Sequence, residues 1–414
     1  MTMKNLVTRI QNIVNRILDK FLLHLYRYNQ RNLVREVRKK EKIKVLFVVF
    51  ELGSWKTERL YRAMKKHSRF SPLVVVTPSI ENYLATNVLV EYLKRNDIDF
   101  IIANGEVLNL NQLNGDIIFY QKPYDGCYPY QYLYKYNLNY LFCYVLYAHH
   151  TLYENENQPL YDAVWLRFFE NKSAIEELQP LIRNKKNLVN TGFPSIDDLI
   201  SAPKINPWKK QQKRKKRIIY APHHSIGNLH AKGIAYSTFL ELGELVLNLA
   251  IKYKDETQWF FKPHPRLYDK LLTVWGKEKT DSYYRSWAEL DNTQIEEGVY
   301  ADLFKTSDAM IHDCSSFTIE YLTTKKPVMY LTHCENDHHQ DNMLPYARRA
   351  FELHYRGSTS QKIEEFVNNV INGVDSLKSE REKYFEECLL PPHGKTACEN
   401  IINAILGEAE YSNI

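Results

Sequence analysis

The feature that most restricts what this chain can fold into is a series of short, nearly unbroken apolar runs separated by helical stretches. Ile43–Phe50 reads IKVLFVVF, with Lys44 as its single polar residue. A strand with one wet face alternates apolar and polar residues, whereas a run that is apolar throughout is buried on both faces, as in a parallel sheet covered by helices. Runs of this kind follow at Leu73–Thr77, Phe100–Ile102, Asp116–Tyr120, Tyr140–Tyr147 and Ala163–Phe168. After an interruption they resume at Arg217–Ala221, Gln258–Lys262, Ala309–His312 and Pro327–Leu331. Helical periodicity lies between them near 55–67, 87–95, 235–253, 267–276 and 300–306, and the tail from Ser360 onward reads as helix. The alternation predicts open, doubly wound α/β sheets, and 414 residues are too many for one hydrophobic core. Two Rossmann-like domains are therefore expected.

Charge marks the divisions. Residues 1–40 hold ten Lys/Arg against Asp19 and Glu36, a net of +8, and 204–217 adds eight Lys/Arg without an acid. Taking these two segments from the overall +6 leaves the rest of the chain at −10. A nucleic-acid enzyme would carry its basic residues across a folded face, so no nucleic-acid partner is expected. Pro203, Pro207 and the second basic run read as a linker. The expected order is a basic helix over 1–40, a first Rossmann-like domain over 41–202 and a linker over 203–216. A second such domain follows over 217–385, then a C-terminal helix over 386–414 that crosses back to the first domain.

In the N-terminal segment Leu6, Ile10, Ile13, Ile17, Phe21 and Leu25 recur every three to four residues, with Lys4, Arg9, Arg16, Lys20 and Arg27 on the remaining surface. A basic amphipathic helix of this kind can lie on an anionic leaflet; the plainer alternative is that the stripe packs on the body or on another subunit. No run of about 18 apolar residues predicts a membrane span, and the N-terminus lacks the uninterrupted apolar core of a secretory signal. The six cysteines are scattered without a C-x-x-C pair, which fits a reducing compartment and gives no structural metal site. A cytoplasmic protein, peripheral on the inner face of the membrane, is expected.

Ligands of open α/β sheets sit beyond the carboxyl ends of strands, and three polar motifs of the second half fall there. Ala221-Pro222-His223-His224-Ser225 follows the first of its strands and Lys262-Pro263-His264-Pro265-Arg266 the second. Asp313-Cys314-Ser315-Ser316-Phe317-Thr318 follows the third and opens a helix through Glu320. Hydroxyls and free backbone N–H groups at a helix start form an anion site, although Asp313 or Ser315 could equally serve as a plain cap. Lys262, His264 and Arg266 place donors around two prolines that fix the backbone. Of His223 and His224, one is expected to face the ligand. In the first half His149 and His150 end a strand facing the second domain, where an imidazole can act as general base.

At these motifs the sequence resembles the CDP-glycerol glycerophosphotransferase family, which includes the teichoic-acid primases and polymerases, and its relatives in capsule and surface-polysaccharide clusters. The carrying segments are Thr191-Gly192-Phe193-Pro194-Ser195-Ile196-Asp197, Tyr220-Ala221-Pro222-His223-His224 and Lys262-Pro263-His264-Pro265. The strongest runs from Ser307-Asp308 to Ser315-Ser316, then to Glu320 and Lys326-Pro327-Val328, and His393-Gly394-Lys395 adds a late likeness. The resemblance implies a GT-B architecture with the nucleotide donor in the second domain. It implies transfer of glycerol phosphate, or another alditol phosphate, from a CDP-linked donor to a lipid- or polymer-linked hydroxyl, with release of CMP and no tightly bound cofactor. It also implies a catalytic role for His264, donor contacts from Ser315, Ser316 and Glu320, and a base at His150 or His149. There the family's His-Gly pair is replaced by Ala148-His149-His150-Thr151. A GT-B glycosyltransferase using a nucleotide sugar is the alternative.

Overall fold

The structure, a computed structural model, describes residues 3–78, 83–103, 110–153, 156–227, 237–295, 300–334, 341–408 and 411, with side chains except at 3–17, 19 and 83–85. The chain forms two compact units. One comprises 1–148, 154–195 and 391–414, the other 149–153 and 196–390.

The first unit opens with α1 (Met3–Lys39), followed by β1 (Ile43–Val49), α2 (Glu58–Lys66), β2 (Phe70–Val76), α3 (Tyr83–Arg95) and β3 (Phe100–Ile102). Then come β4 (Ile117–Tyr120), β5 (Leu141–Val145), α4 (Pro159–Ala163), β6 (Leu166–Phe169), α5 (Lys172–Leu178) and β7 (Leu188–Asn190). Among the described residues these strands form one parallel sheet in the order β3-β2-β1-β4-β5-β6-β7. β1 sits centrally, paired from Ile43↔Phe70 to Val49↔Val76 on one side and from Val45↔Ile117 to Val48↔Tyr120 on the other. Its run is apolar because both faces are covered: Val45, Phe47 and Val49 of one face pack with Leu60 and Met64 of α2 and with Ile401 and Ile405 near the C-terminus, and Leu46 and Val48 of the other are fully buried.

The helix α6 (Pro194–Ile200) carries the chain into the second unit. There β8 (Lys216–Ala221), α7 (Phe239–Lys252), β9 (Thr257–Phe261), α8 (Leu267–Val274), α9 (Lys277–Glu289) and β10 (Thr293–Ile295) come first. They are followed by α10 (Ala301–Thr306), β11 (Ala309–His312), α11 (Phe317–Glu320), β12 (Val328–Leu331), α12 (Pro345–Glu352), β13 (Tyr355–Gly357), α13 (Ser360–Asn372) and α14 (Lys378–Tyr384). The sheet is again parallel, in the order β10-β9-β8-β11-β12-β13. Tyr220, Trp259, Phe261 and Ile311 build its core with Val246 of α7, Trp287 of α9 and Phe366 of α13.

Four segments differ from the sequence reading, two of them at boundaries: 196–202, read as the end of the first domain, and 386–390, read with the C-terminal helix, belong to the second unit. The stretch 203–216, read as a linker, belongs to the second unit. Trp208 is 5% exposed, its ring lies against Phe260 and its indole N–H donates to Thr306 Oγ1 at 3.0 Å. Residues 149–153, read as the end of a first-domain strand, also belong to the second unit, since β5 ends at Val145. Leu152 bridges Met343, the Leu344 N–H donates to the Thr151 carbonyl, and the Tyr346 hydroxyl donates to the carbonyl of His150.

Residues 391–414, including α15 (Ala397–Leu406), belong to the first unit. Asn400 of α15 donates to the carbonyls of Thr191 and Pro392, each at 3.0 Å. Gly192 has φ +84°, and a Cβ there would lie 2.8 Å from Pro391 Cβ, so the Thr191-Gly192-Phe193-Pro194 motif serves this close approach. Among the described residues no helix is long and apolar enough to cross a membrane.

Candidate functional site

β9, β8 and β11 are adjacent in the second sheet, and the strand order reverses between β8 and β11. That reversal is a topological switch point, where the loops at the carboxyl ends diverge and leave room for a ligand. All three polar motifs emerge from these three strand ends.

The first two turns are joined by backbone. The Lys262 N–H donates to the Tyr220 carbonyl at 2.8 Å and the His264 N–H to the Pro222 carbonyl at 3.0 Å. Their three imidazoles meet as a result. His223 and His224 stack with centroids 4.3 Å apart, and His264 stands edge-on to both, at 5.1 and 4.1 Å. Each ring is half-buried.

Local turns set the tautomers of two of these rings. His223 Nδ1 accepts the Ser225 N–H at 3.2 Å, and His264 Nδ1 accepts the Arg266 N–H at 3.1 Å. A neutral imidazole accepting at Nδ1 carries its proton on Nε2. Burial pushes the pKa of His223 and of His264 down to about 3, helped by the neighbouring histidines and Arg266, and it lowers His224 in the same direction. The rings are therefore uncharged at neutral pH, and His223 and His264 present N–H donors. One ring nitrogen from each of the three histidines lies within 4.8 Å of the others, a spacing that can hold a metal ion. A cation needs free lone pairs, however; those of two rings face backbone N–H groups, and Lys262 and Arg266 add positive charge. The chemistry of the cluster suits an anion.

The third turn is built differently. Asp313 is fully buried; its Oδ1 accepts the His223 N–H at 2.6 Å, and its Oδ2 accepts the Thr238 N–H at 2.7 Å and hydroxyl at 3.1 Å. The carboxylate thus ties the β8 and β11 turns to the start of α7, and burial raises its pKa to about 6. Ser315 and Ser316 are half-buried. Thr318 is buried with its hydroxyl turned back to the Cys314 carbonyl. Glu320 is buried and accepts the hydroxyl of Tyr300, whose ring lies 5.7 Å from Lys262 Nζ. α11 spans four residues, so its dipole is weak, and the donors of this turn are its backbone N–H groups and serine hydroxyls.

The structure thus brings His223, His224, Lys262, His264 and Arg266 together at neighbouring turns and ties Asp313 to them, whereas Thr318 and Glu320 point inward. His149 and His150 are buried, 6% and 7% exposed. Lys326 of the Lys-Pro-Val segment is structural: its Nζ donates to the carbonyls of Lys305 and Ser307, each at 2.6 Å, closing the end of α10. Sequence reasoning missed Tyr300 and Thr238, and named Ser225 only as a member of its motif. Tyr300 carried no motif; Ser225, two residues after His223, was recognisable as a tautomer-setting turn.

Residues 170–407, more than half of the chain, match the family of CDP-glycerol:poly(glycerophosphate) glycerophosphotransferases. The chain belongs to that family. It is a glycerophosphotransferase-like enzyme with a GT-B type of fold, and the matched region contains the whole cluster just described. A variant of the wall teichoic acid polymerase TagF soaked with CDPG is similar in structure, with a TM-score of 0.60, 14% identity, and coverage of 97% of this chain and 96% of that one. UDP-GlcNAc 2-epimerase from Neisseria meningitidis bound to UDP-GlcNAc aligns with a TM-score of 0.52 and 14% identity over 88% of this chain and 99% of that one. The S. aureus MnaA–UDP complex aligns with 0.53 and 15% over 88% and 96%. At such identities the likeness concerns the fold. No curated protein sequence matches this chain significantly.

Proposed function

We propose that the enzyme transfers glycerol phosphate, or another alditol phosphate, from a CDP-linked donor to a hydroxyl of a lipid- or polymer-linked acceptor in surface-polymer synthesis. The observation that carries the reading is the cluster of neutral N–H donors and two cations at the switch point of the second sheet, within the family-matched region. A diphosphate fits it: the His223 and His264 Nε2–H groups, Lys262, Arg266 and the Ser315 and Ser316 donors are arranged to hold two phosphates without proton exchange.

In the reaction the acceptor oxygen attacks the β-phosphorus, a new P–O bond forms, the bridging P–O bond breaks, and CMP leaves with the electron pair. Catalysis of this kind is mainly positioning and electrostatic stabilisation. His264 donates to the charge that builds on the phosphates, and the acceptor proton goes to His150 or His149. Tyr300, its hydroxyl held by the inward-facing Glu320, lies beside Lys262 and suits the nucleoside. The acceptor is met at the inner face of the cell membrane, with the basic helix α1 on the anionic leaflet.

Incubation of the purified enzyme with CDP-glycerol, CDP-ribitol and a panel of UDP- and GDP-sugars, with CMP release followed in the presence of acceptor, tests the proposal. Acceptor-dependent CMP release from a CDP-alditol is expected. Turnover of nucleotide sugars alone would replace it with the glycosyltransferase reading.

A further inference from the structure

The helix α1 carries two apolar stripes, and its own unit covers only one of them. Tyr26 and Val37 are buried and Leu33 and Val34 pack on the core, while the Tyr26 hydroxyl donates to the Tyr140 carbonyl at 3.0 Å. Leu18, Phe21, Leu25 and Tyr28 are spaced three, four and three residues apart, which at about 100° per residue confines them to an arc of roughly 80° on a different face. They are 51%, 62%, 41% and 76% exposed. Beside this open stripe runs a row of exposed cations, Lys20, Arg31 and Arg35, which make no ion pair among the described residues.

The same region holds a second exposed apolar feature. α1 touches the turn Tyr134–Tyr136, and Tyr26 and Tyr134 both pack on Phe142, with centroids 5.3 and 6.3 Å away. From that loop Tyr130 and Tyr136 project as an edge-on pair 5.8 Å apart, 70% and 56% exposed, with Lys135 Nζ 5.9 Å from the Tyr136 ring. Tyrosine, with an apolar body and a polar tip, favours the layer between lipid tails and water.

We propose that Leu18, Phe21, Leu25 and Tyr28 of α1, with Tyr130 and Tyr136, form one face that enters the headgroup layer of an anionic bilayer, while Lys20, Arg31 and Arg35 pair with lipid phosphates. The inference rests on the membrane location proposed above and assigns its face. A bilayer fits better than a second copy of the chain, because self-association would set two rows of like charge beside one another.

Full-length protein is to be sedimented with vesicles of phosphatidylglycerol and phosphatidylcholine, and with phosphatidylcholine alone. The variants are Phe21→Ser/Leu25→Ser and Tyr130→Ser/Tyr136→Ser, whose exposed side chains leave the fold intact, as their melting temperatures will verify. The expected result is salt-sensitive binding to the anionic vesicles, weakened about fivefold or more by each double variant. Wild-type binding that both variants retain in full would overturn the face while leaving the membrane location standing. No binding by the wild type would overturn both. A dimer in analytical ultracentrifugation that Phe21→Ser/Leu25→Ser dissociates would assign the stripe to a second copy instead.

Discussion

At the level of single residues, His264 is built to donate, because a pKa near 3 makes it a poor base and the Arg266 N–H occupies its Nδ1. Loss of one such donor to a developing oxyanion costs about 10²–10³ in kcat. His264→Ala should lower kcat by that order with an unchanged melting temperature. His264→Gln, which restores an N–H, should recover part of the rate in the CMP-release assay. Asp313 is the complementary case, an acceptor surrounded by donors. In Asp313→Asn the new amide N–H must face either the His223 or the Thr238 N–H, at a cost of about 1–3 kcal/mol for the unpaired buried group. Urea denaturation should show that loss. The place of the motif residues at the strand ends was legible in the sequence because the buried apolar runs before them mark where each strand stops. Which of them turn inward was not, since Asp313, Thr318 and Glu320 look as suited to a ligand as Ser315 does. His149 and His150 were assigned to the wrong unit because the apolar run before them continues past the true end of β5.

Among the elements, both sheets could be read ahead because a strand buried on two faces leaves an apolar run as its trace. Of the three-residue strands, β3 (FII) left an apolar trace, whereas β7 (LVN), β10 (TQI) and β13 (YRG) carry polar residues and were not read. The stretch 203–216 was misread for a different reason: its lysines and arginines look solvated, and the one residue that anchors it, Trp208, was outvoted by them. The two ends of the chain meet in the first unit in a way no pattern announces. Arg38 of α1 donates to the carbonyls of Ile405 and Ala404 at 3.0 and 3.2 Å, closing the C-terminal end of α15 with a cation. Gly407 stands so close that a Cβ would meet the guanidinium. Arg38→Ala should lower the stability of the first unit by about 1 kcal/mol, a partly solvated value for hydrogen bonds to a charged group. A denaturant midpoint equal to that of the wild type would show that α15 is held by its apolar face alone.

For the molecule as a whole, the buried histidines of the second unit set how stability follows pH. His312 and His354 are fully buried with rings 5.3 Å apart, and burial drives both pKa values down, that of His312 to about 3. In the unfolded chain each takes up a proton near pH 6.5, which the native state refuses. Their contribution is therefore fully present above pH 6.5 and is lost as the pH falls toward the folded values, by about 1.4 kcal/mol per pH unit for each proton. Asp313 acts in the opposite sense. Its raised pKa of about 6 lets the native state hold a proton that the unfolded carboxyl releases down to about 3.8, so stability is gained as the pH falls through that window. His223, His264 and His224, whose pKa values burial also lowers, act in the same sense as His312 and His354, and between pH 6.5 and 6 Asp313 does not yet oppose them. The melting temperature should thus be level from pH 8 to 7 and fall steadily below 6.5. His312→Asn, whose Oδ1 can accept the Cys314 N–H now taken by Nδ1 at 3.2 Å, removes one of the protons. It should make the acid limb shallower by about 1.4 kcal/mol per pH unit, and an unaltered limb would mean that His312 takes up its proton without unfolding the chain.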